Sequence, residues 1–145
     1  MQDRFETFTV LINKISRSIR RIKNQEMAQY NLRSIHVSCL YYIYSLEDPT
    51  ATELCEHCQE DKATVSRALD YLEANDFILR ENAAKRYKRP LVLTELGAEA
   101  GKRIADKIDG VLDRIELTEE ERADFYRSLS VISRALEHIC NNSKE

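Results

Sequence analysis

The stretch "TATELCEHCQEDKATVSRALDYLEANDFILRENAAKRYKRPLVLT", residues 50–94, decides the fold of this chain. Thr50 and Glu53 form a capping-box pattern that begins a short helix, and Asp61 is placed to cap a second helix. Two apolar runs of β type, "FILRE" and "PLVLT", then flank a basic segment. A short helix, a tight turn, a second helix and a hairpin predict a winged helix-turn-helix.

The helix that follows Asp61 has one apolar face and one face suited to DNA. Val65, Ala68, Leu69 and Leu72 recur at helical spacing and are expected to point inward. On the opposite face, short side chains permit the helix to approach base edges closely, and an arginine supplies a bidentate hydrogen-bond donor. A solvated helix face is the alternative interpretation. The residues predicted to face DNA are Lys62, Ala63, Thr64, Ser66, Arg67 and Tyr71.

The basic segment concentrates like charges in a chain whose net charge is -3. Lys85, Arg86, Lys88 and Arg89 surround Tyr87 at the expected tip of the hairpin. Their repulsion is tolerable in a hydrated loop and is relieved when a polyanion arrives. These residues are therefore predicted to contact phosphates and an adjacent minor groove, with a solubilising charge run as the alternative.

Long amphipathic helices are expected on either side of this lobe. Apolar residues recur at spacings of three and four near both ends of the chain, and Thr94 and Thr118 are placed to cap the last two helices. These stripes carry more apolar surface than a small domain needs for its own core, so a second copy of the chain is expected to cover part of it. The predicted dimer interface consists of Phe5, Phe8, Ile12, Ile15, Phe125, Leu129, Ile132, Leu136 and Ile139.

Length and composition indicate one mainly α domain over residues 1–145, with β structure confined to the wing. The DNA-binding lobe is predicted at 34–94, between helical dimerisation segments at 1–30 and 95–141. A mixed-charge start and short apolar runs predict neither a secretory signal nor a membrane span. With four cysteines expected as reduced thiols, the predicted location is cytoplasmic.

The segment Cys55-Glu56-His57-Cys58 raises a zinc or redox hypothesis. Cys55 and Cys58 share a helix face, whereas His57 points roughly 100° away from each. A tetrahedral zinc site also needs further ligands, and the sequence has no second paired motif. Small core residues are the favoured interpretation, and a thiol- or metal-responsive regulator is an alternative. We expect no metal and no cofactor.

We find no catalytic motif in the sequence that would indicate an enzyme. The sequence has no Gly-rich phosphate loop and no nucleophile elbow, and its three histidines are scattered. A winged-helix adaptor that binds protein is the more serious rival, because the same fold serves both purposes. Binding that weakens as salt rises would favour DNA.

Residues 52–97 resemble the DNA-binding core of the MarR family of bacterial transcription regulators. The matching positions are Glu53-Leu54, the run Asp61 to Arg67, Leu72, Ile78, Arg80, Leu93-Thr94 and Gly97. The resemblance implies a homodimer joined through its first and last helices, with two lobes that read double-stranded DNA. We expect a repressor whose pseudo-palindromic operator has half-sites about one helical turn apart.

The resemblance also implies an effector pocket between the lobe and the dimer region. A small aromatic effector is expected there, lined by Ile19, His36, Cys39 and Leu40, with an ordinary core as the alternative. Two positions depart from the family pattern. Lys85 precedes Arg86 where the family commonly has Asp, so the usual orienting pair is missing, and Asn75-Asp76 replaces a common glycine.

Overall fold

The structure, a computed structural model, describes residues 3–80 and 90–143. Strands β1 (Ile78–Arg80) and β2 (Leu91–Leu93) pair antiparallel, with Leu79 opposite Val92. A π-helical segment, Glu6–Leu11, precedes the first α-helix, and a short 3-10 turn follows it. In chain order the helices are α1 (Ile12–Glu26), α2 (Ser34–Ser45), α3 (Ala51–Cys58), α4 (Lys62–Ala74), α5 (Glu95–Asp113) and α6 (Glu119–Asn142). The predicted mainly α fold with a β wing is therefore confirmed.

The chain divides into two compact units, Met1–Asp109 and Gly110–Glu145. The first unit contains α1 to α4, the sheet and most of α5, and the second contains the end of α5 and all of α6. The lobe predicted at 34–94 lies within the first unit. Within residues 3–80 and 90–143, no helix combines the length and apolarity that crossing a membrane requires.

Four helices begin at the capping residues that the sequence predicts. Each cap is a Thr or Asp side chain that accepts a hydrogen bond from the backbone N–H three residues later. The donor-acceptor distances are 3.3 Å at Thr50, 2.7 Å at Asp61, 3.0 Å at Thr94 and 3.1 Å at Thr118. Glu121 completes a capping box by accepting from the backbone N–H of Thr118 at 2.8 Å.

Left-handed residues make the two tight turns around α4. Gln59 has φ 54° between α3 and α4, and Asp76 has φ 63° between α4 and β1. Asp and Asn tolerate this region better than most residues, which suits Asp76 to the turn. These turns fix where the second helix of the helix-turn-helix starts and ends.

One apolar core fills the first unit. Val65, Ala68, Leu69 and Leu72 of α4 are all buried, which confirms the predicted inner face of that helix. They belong to a cluster with buried residues of α2, both strands and the start of α5. The residues of α2 in this cluster are Val37, Cys39, Leu40 and Ile43. Because α4 packs against α2 through a dry interface, its opposite face is held outward.

The apolar stripes at the two ends of the chain lie outside this core. The helix predicted over the first stripe is present, but Glu6–Leu11 is π-helical. There the hydroxyls of Thr7 and Thr9 donate to the carbonyl groups of Asp3 and Phe5, and such bonds compete with the backbone ladder. Neither α1 nor α6 contains a buried residue.

Candidate nucleic-acid interface

The outward face of α4 is the candidate DNA-reading surface. Lys62, Ala63, Ser66 and Arg67 are exposed, and Thr64 is half-buried. A surface with small residues beside one long bidentate donor fits the floor of a major groove. The structure therefore brings together five of the six residues predicted on this helix.

Asp61 fixes the start of this surface. Its carboxylate accepts the backbone N–H of Thr64 at 2.7 Å. Hydrogen bonds from the backbone and then the hydroxyl of Thr64 hold the pKa of Asp61 below its ordinary value, with a smaller contribution from the charge of Arg67. The carboxylate is therefore ionised at neutral pH and anchors the first turn of α4.

Tyr71, the sixth residue predicted to contact DNA, makes two contacts within the lobe. Its hydroxyl donates to the carbonyl oxygen of Asn31 at 2.7 Å. Its ring stacks on that of His36, with centroids 4.3 Å apart and planes 16° apart. Through the hydrogen bond to Asn31, Tyr71 ties α4 to the segment that precedes α2.

His36 also has an internal role. Its Nδ1 accepts the backbone N–H of Arg33 at 3.0 Å, which caps the start of α2. Burial, and then the positive charge of Arg33, lower the pKa of His36 below its ordinary value. A neutral imidazole is needed to accept this bond, so the lowered pKa and the geometry agree.

Arg80 is a residue of this surface that the sequence reasoning did not single out as functional. Its guanidinium lies 3.0 Å from Asp70 and 3.9 Å from Glu73, both on α4. The pairs offset the two acidic charges that follow Arg67 along the helix, and they tie α4 to β1. The available signal in the sequence was that Ile78 and Arg80 match the family pattern, which does not name the two carboxylates.

The predicted wing contacts Lys85, Arg86, Tyr87, Lys88 and Arg89 lie outside the described residues. Strands β1 and β2, which bracket them in sequence, form the antiparallel pair that the hairpin prediction requires.

A cavity of about 710 Å³ lies between α1, α2 and the end of α3. Its lining combines apolar residues with three cations and one acid, and Cys58 is also among the lining residues. The apolar residues are Ile12, Ile15, Ile19 and Ile35, the cations are Arg20, Lys23 and Arg33, and the acid is Glu60. The volume is in the range of small-molecule sites.

The predicted effector set is not brought together by this cavity. Ile19 lines it, whereas Cys39 and Leu40 are fully buried in the core. His36 is engaged with Arg33 and Tyr71, as described above. The cations Arg20, Lys23 and Arg33, which the prediction omitted, are the polar groups of the cavity. The spacing of apolar residues identified which side of α2 is apolar. It did not show that Cys39 and Leu40 on that side are buried in the core and do not line the cavity.

The cysteines occupy three environments. Cys39 is buried, Cys55 and Cys58 are half-buried against the core, and Cys140 is exposed on α6. Among the residues that the structure describes, no cluster of three or more His, Cys, Asp or Glu side chains is arranged to hold a metal ion. Packing against the core agrees with the favoured interpretation of Cys55 and Cys58 as small core residues.

The helix pair α3 and α4, followed by the antiparallel strands, defines a winged helix-turn-helix protein. Residues 33–84 match the MarR family model, which confirms the family resemblance over this lobe. A comparison with curated proteins gives no match.

Solved structures share the fold of this chain. The MepR–DNA complex of Staphylococcus aureus superposes with a TM-score of 0.81 at 22% identity, covering 92% of this chain and 99% of that one. NMB1585, a MarR family regulator from Neisseria meningitidis, gives 0.81 at 19% identity, covering 98% and 99%. Staphylococcus aureus MarR in complex with salicylate and kanamycin gives 0.73 at 18%, covering 92% and 97%.

Proposed function

We propose that this chain is a homodimeric transcription regulator that binds double-stranded DNA sequence-specifically and acts as a repressor. Helix α4 enters the major groove, and the basic segment between β1 and β2 contacts phosphates and the minor groove. A pseudo-palindromic operator, with half-sites about one helical turn apart, follows from the two-fold symmetry of a dimer.

The outward face of α4 carries this proposal. Ala63 and Ser66 leave room for base edges, and Arg67 extends beyond them with a guanidinium suited to guanine or phosphate. The inner face of the same helix is buried, and Tyr71 and Arg80 tie the helix to other parts of the lobe. The surface is therefore rigid, which limits the entropy lost on binding.

Substitution of Arg67 tests the proposal. Fragments of the source genome that the parent protein retains are sequenced and used in gel-shift titrations. Arg67→Ala is expected to weaken binding by about 1–3 kcal/mol and to relax the preference at one base position. Arg103→Ala, the same substitution at an exposed site on α5, is the matched control and should bind as the parent does.

The salt dependence of binding distinguishes DNA recognition from a protein adaptor. The affinity should fall with rising salt on a log–log slope of about -0.9 per phosphate contact. Replacing Lys85 and Arg86 together should make this slope shallower by an amount equal to about two phosphate contacts.

If Arg67→Ala and the parent protein bind every DNA sequence equally, helix α4 does not read bases.

The exposed apolar stripes of the N-terminal helical segment (residues 5–15) and of α6 support the homodimer. Phe5 is 69% exposed, Leu129 is 44% exposed and Ile139 is 59% exposed in the single chain. Two continuous apolar stripes of this kind indicate an interface, and a second copy supplies the same surfaces by symmetry. Phe8, Ile12 and Ile15 on the first stripe, and Phe125, Ile132 and Leu136 on the second, complete the proposed interface.

Two substitutions on α6 test the dimer. Leu129→Glu places a charge on the stripe, whereas Val131→Glu places it at a somewhat more exposed site outside the stripe. In sedimentation experiments the parent and Val131→Glu should be dimers, and Leu129→Glu should be a monomer. A parent protein that is monomeric at all concentrations, or equal dissociation of both variants, would contradict the proposed interface.

We also propose the cavity as the effector site, and its chemistry favours an aromatic anion. Arg20, Lys23 and Arg33 supply positive charge beside an isoleucine wall. The ammonium group of Lys23 is held by Ser38, to which it donates at 3.1 Å. One face of an aromatic carboxylate would meet the apolar wall, while its charge would meet the cations.

Salicylate is the probe for this site, because it is bound by the Staphylococcus aureus MarR of similar fold. Calorimetry should show weaker binding of salicylate to Arg20→Gln, by about tenfold, which is the effect expected for one charge-assisted contact. Arg17→Gln, on the same helix but outside the cavity lining, is the control. Equal binding of neutral salicylamide and salicylate would contradict an anion site.

A further inference from the structure

We propose that Arg80 is a positioning residue for DNA recognition, which holds the carboxylate of Asp70 so that it neither pairs with Arg67 nor repels the phosphates of the DNA. The inference rests on the proposed function, because Arg67 is the side chain expected to reach the bases. It adds a condition that α4 does not meet by itself, since the acid on the DNA-reading helix is neutralised from β1.

Asp70 lies on the same side of α4 as the residues proposed to read DNA. It follows Arg67 by three positions and Ser66 by four, and residues at these spacings are neighbours on the surface of a helix. Ser66, Arg67 and Asp70 are all exposed. A DNA duplex lying against this face would therefore meet a carboxylate one turn beyond the proposed guanidinium.

An unpaired Asp70 would weaken DNA binding in two ways. Acidic and basic side chains three positions apart on a helix can pair, and such a pair would occupy the donors of Arg67 that base edges need. The negative charge of Asp70 would also stand near the phosphates and repel them. Glu73 would add a second negative charge three positions further along the helix.

Arg80 neutralises both acids from outside the helix. Its Nη2 donates a hydrogen bond to Oδ1 of Asp70 at 3.0 Å, and its Nε lies 3.9 Å from Oε2 of Glu73. Within the part of the chain that the structure describes, Arg67 takes part in no ion pair. Asp70 is therefore paired across to β1 and not along α4, which leaves the guanidinium of Arg67 available for DNA.

The sheet holds Arg80 in place for this role. Arg80 is the last residue of β1 and pairs with Leu91 of β2. Its side chain is only 23% exposed, whereas that of Asp70 is 65% exposed. The buried Nε has no hydrogen-bond acceptor among the described residues, so the nearby charge of Glu73 compensates it. A cation held in this way loses less side-chain entropy on pairing than an exposed arginine does.

A purely structural tie between α4 and β1 is the alternative role for Arg80, and a second substitution separates the two roles. In Arg80→Gln the tie is lost and Asp70 is left as an unpaired carboxylate. In the double variant Arg80→Gln/Asp70→Asn the tie is equally lost, but that negative charge is gone. Control of charge predicts that the double variant regains affinity for DNA, whereas a structural tie predicts that it does not.

Gel-shift titrations of the full chain with its selected DNA fragment provide the test. Arg80→Gln should weaken binding by about fivefold to tenfold at low salt, and by less at high salt, because exposed charges are then screened. Arg80→Gln/Asp70→Asn should recover most of that affinity. Arg80→Lys, which keeps the positive charge, should bind nearly as the parent does.

Lys102→Gln is the matched control. It also removes the cation of an ion pair, since Lys102 lies 2.8 Å from Asp106, but that pair is exposed on α5. This variant should bind DNA as the parent does. A loss equal to that of Arg80→Gln would mean that the overall charge of the protein, and not the pairing of Asp70, sets the affinity.

Asp70→Asn decides the matter if Arg80→Gln does not fold, which urea unfolding of each variant will show. It removes the carboxylate to which Arg80 donates while Arg80 itself is kept. We expect this variant to bind DNA at least as tightly as the parent, because its helix carries one negative charge fewer. Weaker binding of Asp70→Asn, or equal weakening of Arg80→Gln and its double variant, would overturn the proposal.

The parent protein and Arg67→Ala distinguish this inference from the proposed function. If the parent retains no DNA fragment, the proposed function is wrong and this inference is wrong with it. If the parent binds DNA and Arg67→Ala weakens that binding, but Arg80→Gln binds as the parent does, the proposed function stands and only the role of Arg80 is refuted.

Discussion

Alanine at Gly97 should destabilise the protein, because the backbone of α5 touches the turn before β1 at this point. A Cβ atom built on Gly97 would lie 1.9 Å from the carbonyl oxygen of Phe77 and 3.0 Å from its carbonyl carbon. That oxygen also accepts the backbone N–H of Thr94 at 3.1 Å, so it cannot move away freely. Relief of the clash requires the backbone to shift, at a cost of about 1–3 kcal/mol or more.

Gly110 is the matched control on the same helix. A Cβ atom there has no neighbouring heavy atom within 4 Å. Ala is better than Gly in a helix interior by about 1 kcal/mol, so Gly110→Ala should stabilise the protein by that amount. Because the substitution is identical at both positions, the difference between the two variants isolates the clash at Phe77.

Urea unfolding at one fixed protein concentration provides the assay, since a dimer's stability depends on concentration. The midpoint should fall for Gly97→Ala and rise for Gly110→Ala. Equal shifts in the same direction would show that α5 does not pack against Phe77 as described.

Three further predictions concern the lobe. Tyr71→Phe should lower the free energy of unfolding by about 1 kcal/mol, because the bond to Asn31 is lost; Tyr126→Phe, at an exposed site on α6, should change it little. Burial lowers the pKa of His36, so as the pH decreases the imidazole is protonated in the unfolded chain before it is protonated in the folded protein. The urea midpoint of the parent should therefore fall as the pH decreases below about 6.5, the ordinary pKa of histidine. His36→Gln should reduce this dependence on pH. Leu40→Ala, in the fully buried core, should cost about 2–5 kcal/mol in the same assay.

Local patterns predicted much of the fold. Caps such as Asp61 and Thr118 satisfy donors three residues away, so their role can be read from neighbouring letters. The spacing of Val65 and Leu69 likewise fixed which face of α4 is buried. These features depend on contacts within one helical turn, or on which side of a helix is apolar.

Features that depend on distant partners were not predictable in this way. The hydroxyl of Tyr71 bonds to Asn31, forty residues earlier, and the helical pattern gave no sign of that partner. Periodicity assigns a residue to a face, but the packing of helices decides what that face meets.

The placement of α4 in a DNA groove is the central claim, and site-specific photo-crosslinking tests it most directly. A photoreactive amino acid is introduced in place of Lys62, at the exposed start of α4, or in place of Lys102, on the exposed side of α5. Irradiated complexes with the selected fragment should yield protein–DNA crosslinks from position 62 at one site in each half of the operator, and none from position 102. Crosslinks from position 62 only to protein, or equally from both positions, would contradict the placement of α4.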